Sequence, residues 1–394
     1  MSRLLIHKLV FFAALAVIAT AVTVGSTAQA RAGGGDSDAQ VCGYPGCLAD
    51  GELVRVMTRN IYLGADLGPA FRVDGVAGFV AANGEILDQV EATNMPVRSK
   101  GLANEILESQ PDLVGVQEAA LWRTGPVNLE AALEQKPIAT TVFQDFLQLL
   151  LKRLNRKGPA YKAVLVSDEF DFEGPADVDG DPDTGGPFGA DLDGRLTMRD
   201  AILIKRNAGI RVKAKRSGHF SSLFGVEVAG LVDVQVARGW QSLKVKVRNS
   251  PWFRFSNTHL ESFDDRTQRP SIRAQQAQEL VDEVKRGSQP NIVVGDFNSD
   301  KPGLVKGDAQ AYKVMLANGY TSVGTRDPWS CCIKDSYDLR TGSKKDFDHR
   351  VDQVFTSTPD RVMRVGTQVT GREKHNGYWD SDHAGVVSQL FIRR

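Results

Sequence analysis

The 394-residue sequence predicts an α/β protein whose sheets are mixed, not purely parallel. Three observations predict it. Apolar runs of strand length recur along the chain and end in polar residues. Helical patterns interrupt these runs only now and then, without the regular strand–helix alternation of a parallel sheet. Apolar residues make up 42% and charged residues 24%, a balance that supplies a large core. No period of 20–50 residues marks a solenoid or propeller.

The first thirty residues read as a targeting segment. Arg3 and Lys8 precede an uncharged stretch from Leu9 to Val24, and Ala28-Gln29-Ala30 supplies a small-x-small cleavage pattern. The stretch is short for a membrane anchor and no basic cluster follows it. Residues 1–30 are therefore expected to be a signal peptide cleaved after Ala30, leaving a secreted protein with no integral membrane segment. The full chain carries 48 basic and 48 acidic residues, and cleavage removes two of the basic ones. Such a near-neutral charge does not by itself announce nucleic acid or anionic lipid as a partner.

Residues 31–51, rich in Gly, Ala and Asp, read as a linker containing a small loop between Cys42 and Cys47. With Cys331 and Cys332 the count is four, which in an exported protein suggests disulfides with three pairings open. A bond between the adjacent Cys331 and Cys332 requires a distorted peptide. Cross-pairing would tie the linker to the loop at 331.

The folded region is expected over 52–394. Its first strand begins near Leu53. Asn94 caps a helix with Pro96 just inside it, running to about Ser109, and a strand follows over 111–118. Thr141 to Lys157 reads as an amphipathic helix with Val142, Phe146, Leu149, Leu150 and Leu154 near one face, stopped by Gly158-Pro159. Strands are expected at 161–167, 200–206, 210–215 and 241–247. Helices are expected from Pro270 to Lys285 and from Asp308 to Asn318-Gly319, with a closing strand from Ala384 to Ile392. Asp171–Gly194, dense in Asp and Gly, does not fit an EF-hand register and reads first as a solvated loop, second as an accessory Ca²⁺ site.

The chemistry lies at the strand ends. Asn291-Ile292-Val293-Val294-Gly295 runs into Asp296-Phe297-Asn298, and residues two apart on a strand share a face, so Asp296 and Asn298 address one site. Leu53–Arg59 runs into Asn60, Pro111–Gln117 into Glu118, and Phe253–Thr258 into His259. Arg350-Val351-Asp352 opens another run, and Ser381-Asp382-His383 places a carboxylate beside an imidazole. Carboxylates, carboxamides and imidazoles together suit metal-assisted cleavage of a phosphate ester. Glu118, Asn60 and Asp382 offer oxygen ligands, although Glu118 by itself reads first as a surface glutamate at a strand end and becomes the leading ligand only through the family resemblance of the six motifs. His259 and His383 are the acid–base pair, and Asp296 and Asn298 position the attacking water, with either Asp296 or His383 as its base.

In this order the motifs Asn60, Glu118, Asn257-Thr258-His259-Leu260, Gly295-Asp296-Phe297-Asn298, Arg350-Val351-Asp352 and Ser381-Asp382-His383 resemble the endonuclease/exonuclease/phosphatase superfamily. The resemblance covers roughly 52–394. It implies a four-layer α/β/β/α sandwich with two mixed, mainly antiparallel sheets. It also implies a Mg²⁺-dependent phosphoesterase, with Mn²⁺ or Ca²⁺ as alternatives. Within it, Asp352 matches the partner of His383, and Asp200 the residue that orients His259. The implied substrates are nucleic acid, phospholipid or inositol phosphate, acted on by a monomer. A noncatalytic binding module on the same fold is the rival reading.

Overall fold

The computed structural model describes residues 50–394 apart from 135, 231, 264–268, 286, 304–306 and 325–328. The expected signal peptide, Cys42, Cys47 and nearly all of the linker lie outside the described residues. Among the described residues no helix is long and apolar enough to cross a membrane.

The two expected sheets are present. The larger runs in the order Val362–Thr370, Gly385–Arg393, Gly51–Asn60, Leu113–Gln117, Leu192–Lys205, Leu121–Gly125, Thr141–Asp145, with Tyr161–Ala176 also paired to Leu192–Lys205. The smaller runs Thr321–Ser322, Asp352–Thr356, Asn291–Asp296, Phe253–His259, Gly239–Val247, Ile210–His219. Each sheet has one parallel pair. Gly51–Asn60 lies parallel to Leu113–Gln117, and Phe253–His259 parallel to Asn291–Asp296. The remaining pairings within these two sheets are antiparallel.

Side-chain alternation explains the layering. Val54 and Val56 face one way, into a core shared with Phe253, Phe255, Ile292 and Val294 of the other sheet. Met57 faces the opposite way, onto helices through Val90, Leu102 and Ile106. On the smaller sheet Val293 and Phe355 face outward against Leu280, Val284 and Met315 of the helices Ile272–Val284 and Gln310–Ala317. The period of two thus sorts one strand's residues between an inter-sheet core and a helix-facing core. Because Asn60, His259, Asp296 and Asp352 keep the parity of the inter-sheet residues, their side chains emerge at the mouth between the sheets.

Several boundaries differ from expectation. Thr141–Asp145 is a strand, and the helix is only Phe146–Leu154. The β-branched Thr141 and Val142 pair with Leu121–Gly125, and Asp145 caps the helix by accepting from Gln148 N at 3.0 Å. Strands expected at 161–167 and 200–206 extend to Tyr161–Ala176 and Leu192–Lys205, so only the middle of Asp171–Gly194 is loop. Helix Gly75–Ala92 and the hairpin Phe224–Val228 with Val232–Val236 were not anticipated. The capped helix Met95–Ser109 forms as expected, with Asn94 accepting from Val97 N. The structure pairs Cys331 with Cys332 across a cis peptide bond.

Candidate active site

The two parallel pairs end on the same rim. Asn60 stands opposite Gln117, His259 opposite Asp296, and Asp296 opposite Asp352 in adjoining registers. The chain then turns sharply into the site: Tyr62, Glu118 and Asn298 have φ of 59°, 58° and 45°. Three non-glycine residues in the left-handed region within one cleft is a concentration of strain where positioning matters.

The polar groups predicted from sequence meet here. Asn60 Nδ2 donates to Glu118 Oε1 at 2.9 Å and to Asp296 Oδ2 at 3.1 Å. Glu118 Oε2 accepts from Leu63 N at 2.7 Å. Asp296 Oδ1 accepts from Asn298 N at 2.8 Å, and Asn298 Nδ2 donates to Leu260 O at 2.9 Å. His259 Nε2 lies 3.8 Å from both Glu118 and Asp296, and His383 Nε2 lies 3.6 Å from Asp296. His383 Nδ1 is 3.0 Å from Asp352, the pairing expected from the motif.

The partner of His259 is not the expected one. No hydrogen bond joins the Asp200 carboxylate to His259, so Asp200 does not hold that ring. Arg238 does, with Nη1 3.3 Å from His259 Nδ1. A guanidinium only donates, so Nδ1 accepts and the ring proton sits on Nε2, facing Glu118 and Asp296. Glu261 in turn lies 3.4 Å from Arg238. Burial, then Arg238 and His383, hold His259 well below the usual imidazole range. Burial also pulls on His383, but the carboxylates of Asp352, Asp296 and Asp382 outweigh it and lift that ring well above the usual range. The two imidazoles are thus pushed in opposite directions, His259 toward its neutral form and His383 toward its protonated form. Asp200 remains a buried acid beside Glu169 and Arg238, raised well above the carboxylate range by burial first.

The donor set fits a hard divalent cation. Glu118, Asp296 and Asp382 bring three carboxylates, whereas Asn60, expected to add an oxygen ligand, turns its nitrogen to Glu118 and Asp296 and its oxygen to Tyr62 N at 2.9 Å, and so orients the acids. Burial, with Glu118 adding repulsion, pushes Asp382 up to about 6 against the opposing pull of His383. Ligand atoms of Asp296, Asp352 and His383 all lie within 4.8 Å of one another, and Asp352 Oδ1 has no hydrogen bond. Crowded acids of this kind are stabilised by a bound cation.

Buried cations brace the cleft from behind. Arg59 donates from Nε to Glu105 at 2.9 Å and from Nη1 to the His383 carbonyl at 2.5 Å. Arg98 reaches the carbonyls of Ile61 and Asp380, each at 2.9 Å, joining the segments that carry Asn60 and Asp382. Between the sheets, Gln117 Nε2 donates to Asn257 Oδ1 at 2.6 Å, and Asn257 Nδ2 to Gln241 at 3.1 Å. Gly115 faces that Asn257 side chain, where a Cβ would collide. Arg199 pairs with Asp145 at 2.6 Å and donates to Ala119 O. Sequence reasoning missed Arg59, Arg98 and Arg238. Cys331 and Cys332 approach His383 Nε2 at 3.6 and 3.8 Å, a proximity that nothing in their spacing announced.

Comparison with known proteins agrees with this fold. Solved structures share the fold at low identity. An endonuclease/exonuclease/phosphatase from Bacteroides vulgatus is 17% identical with TM-score 0.50, over 87% of this chain and 100% of that one. One from Beutenbergia cavernae is also 17% identical with TM-score 0.50, over 86% of this chain and 72% of that one. A mannosyl-6-phosphatase from Bacteroides thetaiotaomicron is 18% identical with TM-score 0.46, over 86% and 99%. A search of curated proteins finds no match. The model of the Endonuclease/Exonuclease/phosphatase family matches residues 76–383, and the chain belongs to that family.

Proposed function

We propose that this protein is an exported, Mg²⁺-dependent phosphodiester hydrolase that drives a water molecule in line against the phosphorus. The observation that carries this reading is the meeting of Glu118, His259, Asp296 and His383, with both imidazole Nε2 atoms within 3.8 Å of Asp296 Oδ2. The family is typically metal-dependent, and the hard-oxygen donor set favours Mg²⁺, with Mn²⁺ or Ca²⁺ as substitutes. Glu118 and Asp382 would hold the ion, with Asn60 orienting Glu118, and the ion would supply charge neutralisation at the phosphoryl oxygens.

The side chains divide the remaining work. Asp296, flanked by Asn60 and both imidazoles, orients the water and takes its proton. Asn298 and the Nε2–H of His259 donate toward the charge that develops on the phosphoryl group. His383, braced by Asp352, donates to the same charge or to the leaving oxygen. Export rests on residues 1–30 of the sequence, and an oxidising destination suits the paired Cys331 and Cys332.

Purified protein assayed on bis-p-nitrophenyl phosphate with Mg²⁺, then with chelator, tests the activity. Turnover that chelator abolishes and Mg²⁺ restores is expected. Inertness on that substrate and on DNA, phospholipid and inositol phosphate panels would instead support a noncatalytic binding module.

A further inference from the structure

Cys331 and Cys332 stand at the catalytic cleft, and the reaction as described does not use them. The backbone holds the pair in register with His383. On one side Ala384 N donates to Ser330 O at 2.7 Å, and on the other Ile333 N donates to Asp382 O at 2.9 Å. The residues flanking the cysteines are thus bonded to the residues flanking the histidine. Cys331 is fixed further by a bridge to His349. This lacing brings Cys331 Sγ to 3.6 Å and Cys332 Sγ to 3.8 Å from His383 Nε2.

Opening the disulfide gives these side chains the chemistry of a soft-metal site. Ligand atoms of Cys331, Cys332 and His383 lie within 4.8 Å of one another. His383 Nδ1 is turned to Asp352 at 3.0 Å, so Nε2 is the nitrogen left to offer a lone pair to a metal. A carboxylate behind an imidazole is the usual support of a metal-binding histidine. Asp296 Oδ2, 3.6 Å from the same Nε2, supplies a fourth donor. Two thiolates, an imidazole and a carboxylate suit tetrahedral Zn²⁺ better than Mg²⁺, which seeks hard oxygen ligands. Both cysteines line a cavity of about 730 Å³, through which small reductants and ions reach them.

We infer that Cys331 and Cys332, in their dithiol form, join His383 in a Zn²⁺ site that holds the enzyme inactive. A dithiol reductant passes two electrons and two protons to the S–S bond, becoming a disulfide itself, and two thiols form here. The two thiol protons and the Nε2 proton pass to solvent as Zn²⁺ binds. His383 then has no proton to donate to the phosphoryl group or the leaving oxygen. The disulfide form lacks thiolates, so it releases the ion and frees the ring. The chain is synthesised with both thiols reduced, so the zinc-held form precedes the active one. The metal site stands on the geometry of the three side chains, whereas its effect on turnover rests on the phosphodiesterase reading above.

Co²⁺ replaces Zn²⁺ as the spectroscopic probe, because thiolate ligation gives a near-ultraviolet charge-transfer band that oxygen ligands do not. The full chain is reduced with dithiothreitol, freed of it without air, and titrated with Co²⁺. Reduced wild type is expected to show the band and unreduced wild type to lack it. Reduced Cys331→Ser/Cys332→Ser should lose most of it, although Cys42 and Cys47 remain. Cys332→Ser alone, at the less buried position, should lower the band and serves if the double variant fails to fold. His383→Ala should weaken Co²⁺ binding by about tenfold or more. On bis-p-nitrophenyl phosphate with Mg²⁺, a Zn²⁺ concentration that spares the oxidised enzyme should abolish turnover by reduced wild type. The reduced double serine variant should stay active at that concentration. A reduced wild type without the band, or serine variants with the band undiminished, overturns the site and leaves the phosphodiesterase standing. The band with turnover unaffected by Zn²⁺ overturns the inactive form. The band in a protein whose oxidised form turns over no phosphodiester leaves the metal site standing and overturns the phosphodiesterase.

Discussion

Asp177, Asp179 and Asp191 crowd together in the loop after strand Tyr161–Ala176, much as Asp296 and Asp352 crowd around His383 in the cleft. On the loop, each carboxylate is answered locally. Asp177 accepts from Gly180 N at 2.7 Å, and Asp191 from Val178 N and Asp179 N at 2.9 and 3.2 Å. Asp179 takes Asp181 N and Thr184 Oγ1, both at 2.9 Å, and these hydrogen bonds, the backbone one first, hold it below the usual carboxylate range. In the cleft the direction reverses. Asp296 and Asp382 are raised, chiefly by burial, with Asp352 and Glu118 respectively adding repulsion. Acidic density is therefore a poor guide to a cation site. Carboxylates that fold their own loop are held ionised by local donors, whereas carboxylates buried against each other are pushed toward the neutral form despite the hydrogen bonds they accept.

The comparison can be broken most readily at its catalytic end. His383→Ala and Asp296→Asn are each expected to lower kcat/KM on bis-p-nitrophenyl phosphate by about 10³-fold or more, with far-ultraviolet circular dichroism unchanged. Rates within tenfold of wild type would remove these residues from the chemistry. Arg238→Met should cost about 10- to 100-fold, because His259 loses the donor that sets its tautomer. A pH–rate profile identical to wild type in shape and height would show that Arg238 does not act through His259.

A buried acid outside the cleft sharpens the contrast by stability. Burial pushes Asp193 up to about 6, so folding favours its neutral form. Its contribution is greatest below the unfolded value near 4 and is lost as pH rises through 6. Asp193→Asn should therefore raise Tm at pH 7 by about 2–4 °C, with the gain vanishing near pH 4, and leave kcat unchanged. A lower Tm at pH 7 would contradict this. At the small end, Asp179→Asn should change kcat/KM less than about twofold. A larger loss would make the loop part of the active site.

Much of the cleft was legible because strands are periodic. Alternation told which residues share a face, polar residues at the ends of the runs marked a rim, and the family resemblance of the six motifs then placed Asn60, Glu118, His259, Asp296 and Asp352 together. The sequence did not disclose what lies behind the rim. Arg238 faces His259 from the neighbouring strand end, and no local pattern links positions 21 residues apart. Asp200 was placed in that role from a short motif, yet its oxygens make no hydrogen bond to His259. Thr141 and Val142 carry a helical period but are claimed by a strand partner, a tertiary effect that outweighs local pattern. Helix Gly75–Ala92 escaped because Asp74 makes no side-chain cap and glycines dilute the apolar stripe.

Mn²⁺ binding followed by electron paramagnetic resonance tests the central claim most directly, because Mn²⁺ replaces Mg²⁺ at oxygen sites and needs no substrate. The account predicts bound Mn²⁺ in the wild type and in Asp179→Asn, and a loss of affinity of tenfold or more in Glu118→Gln. Binding that survives Glu118→Gln and disappears in Asp179→Asn would place the cation on the loop and contradict the account.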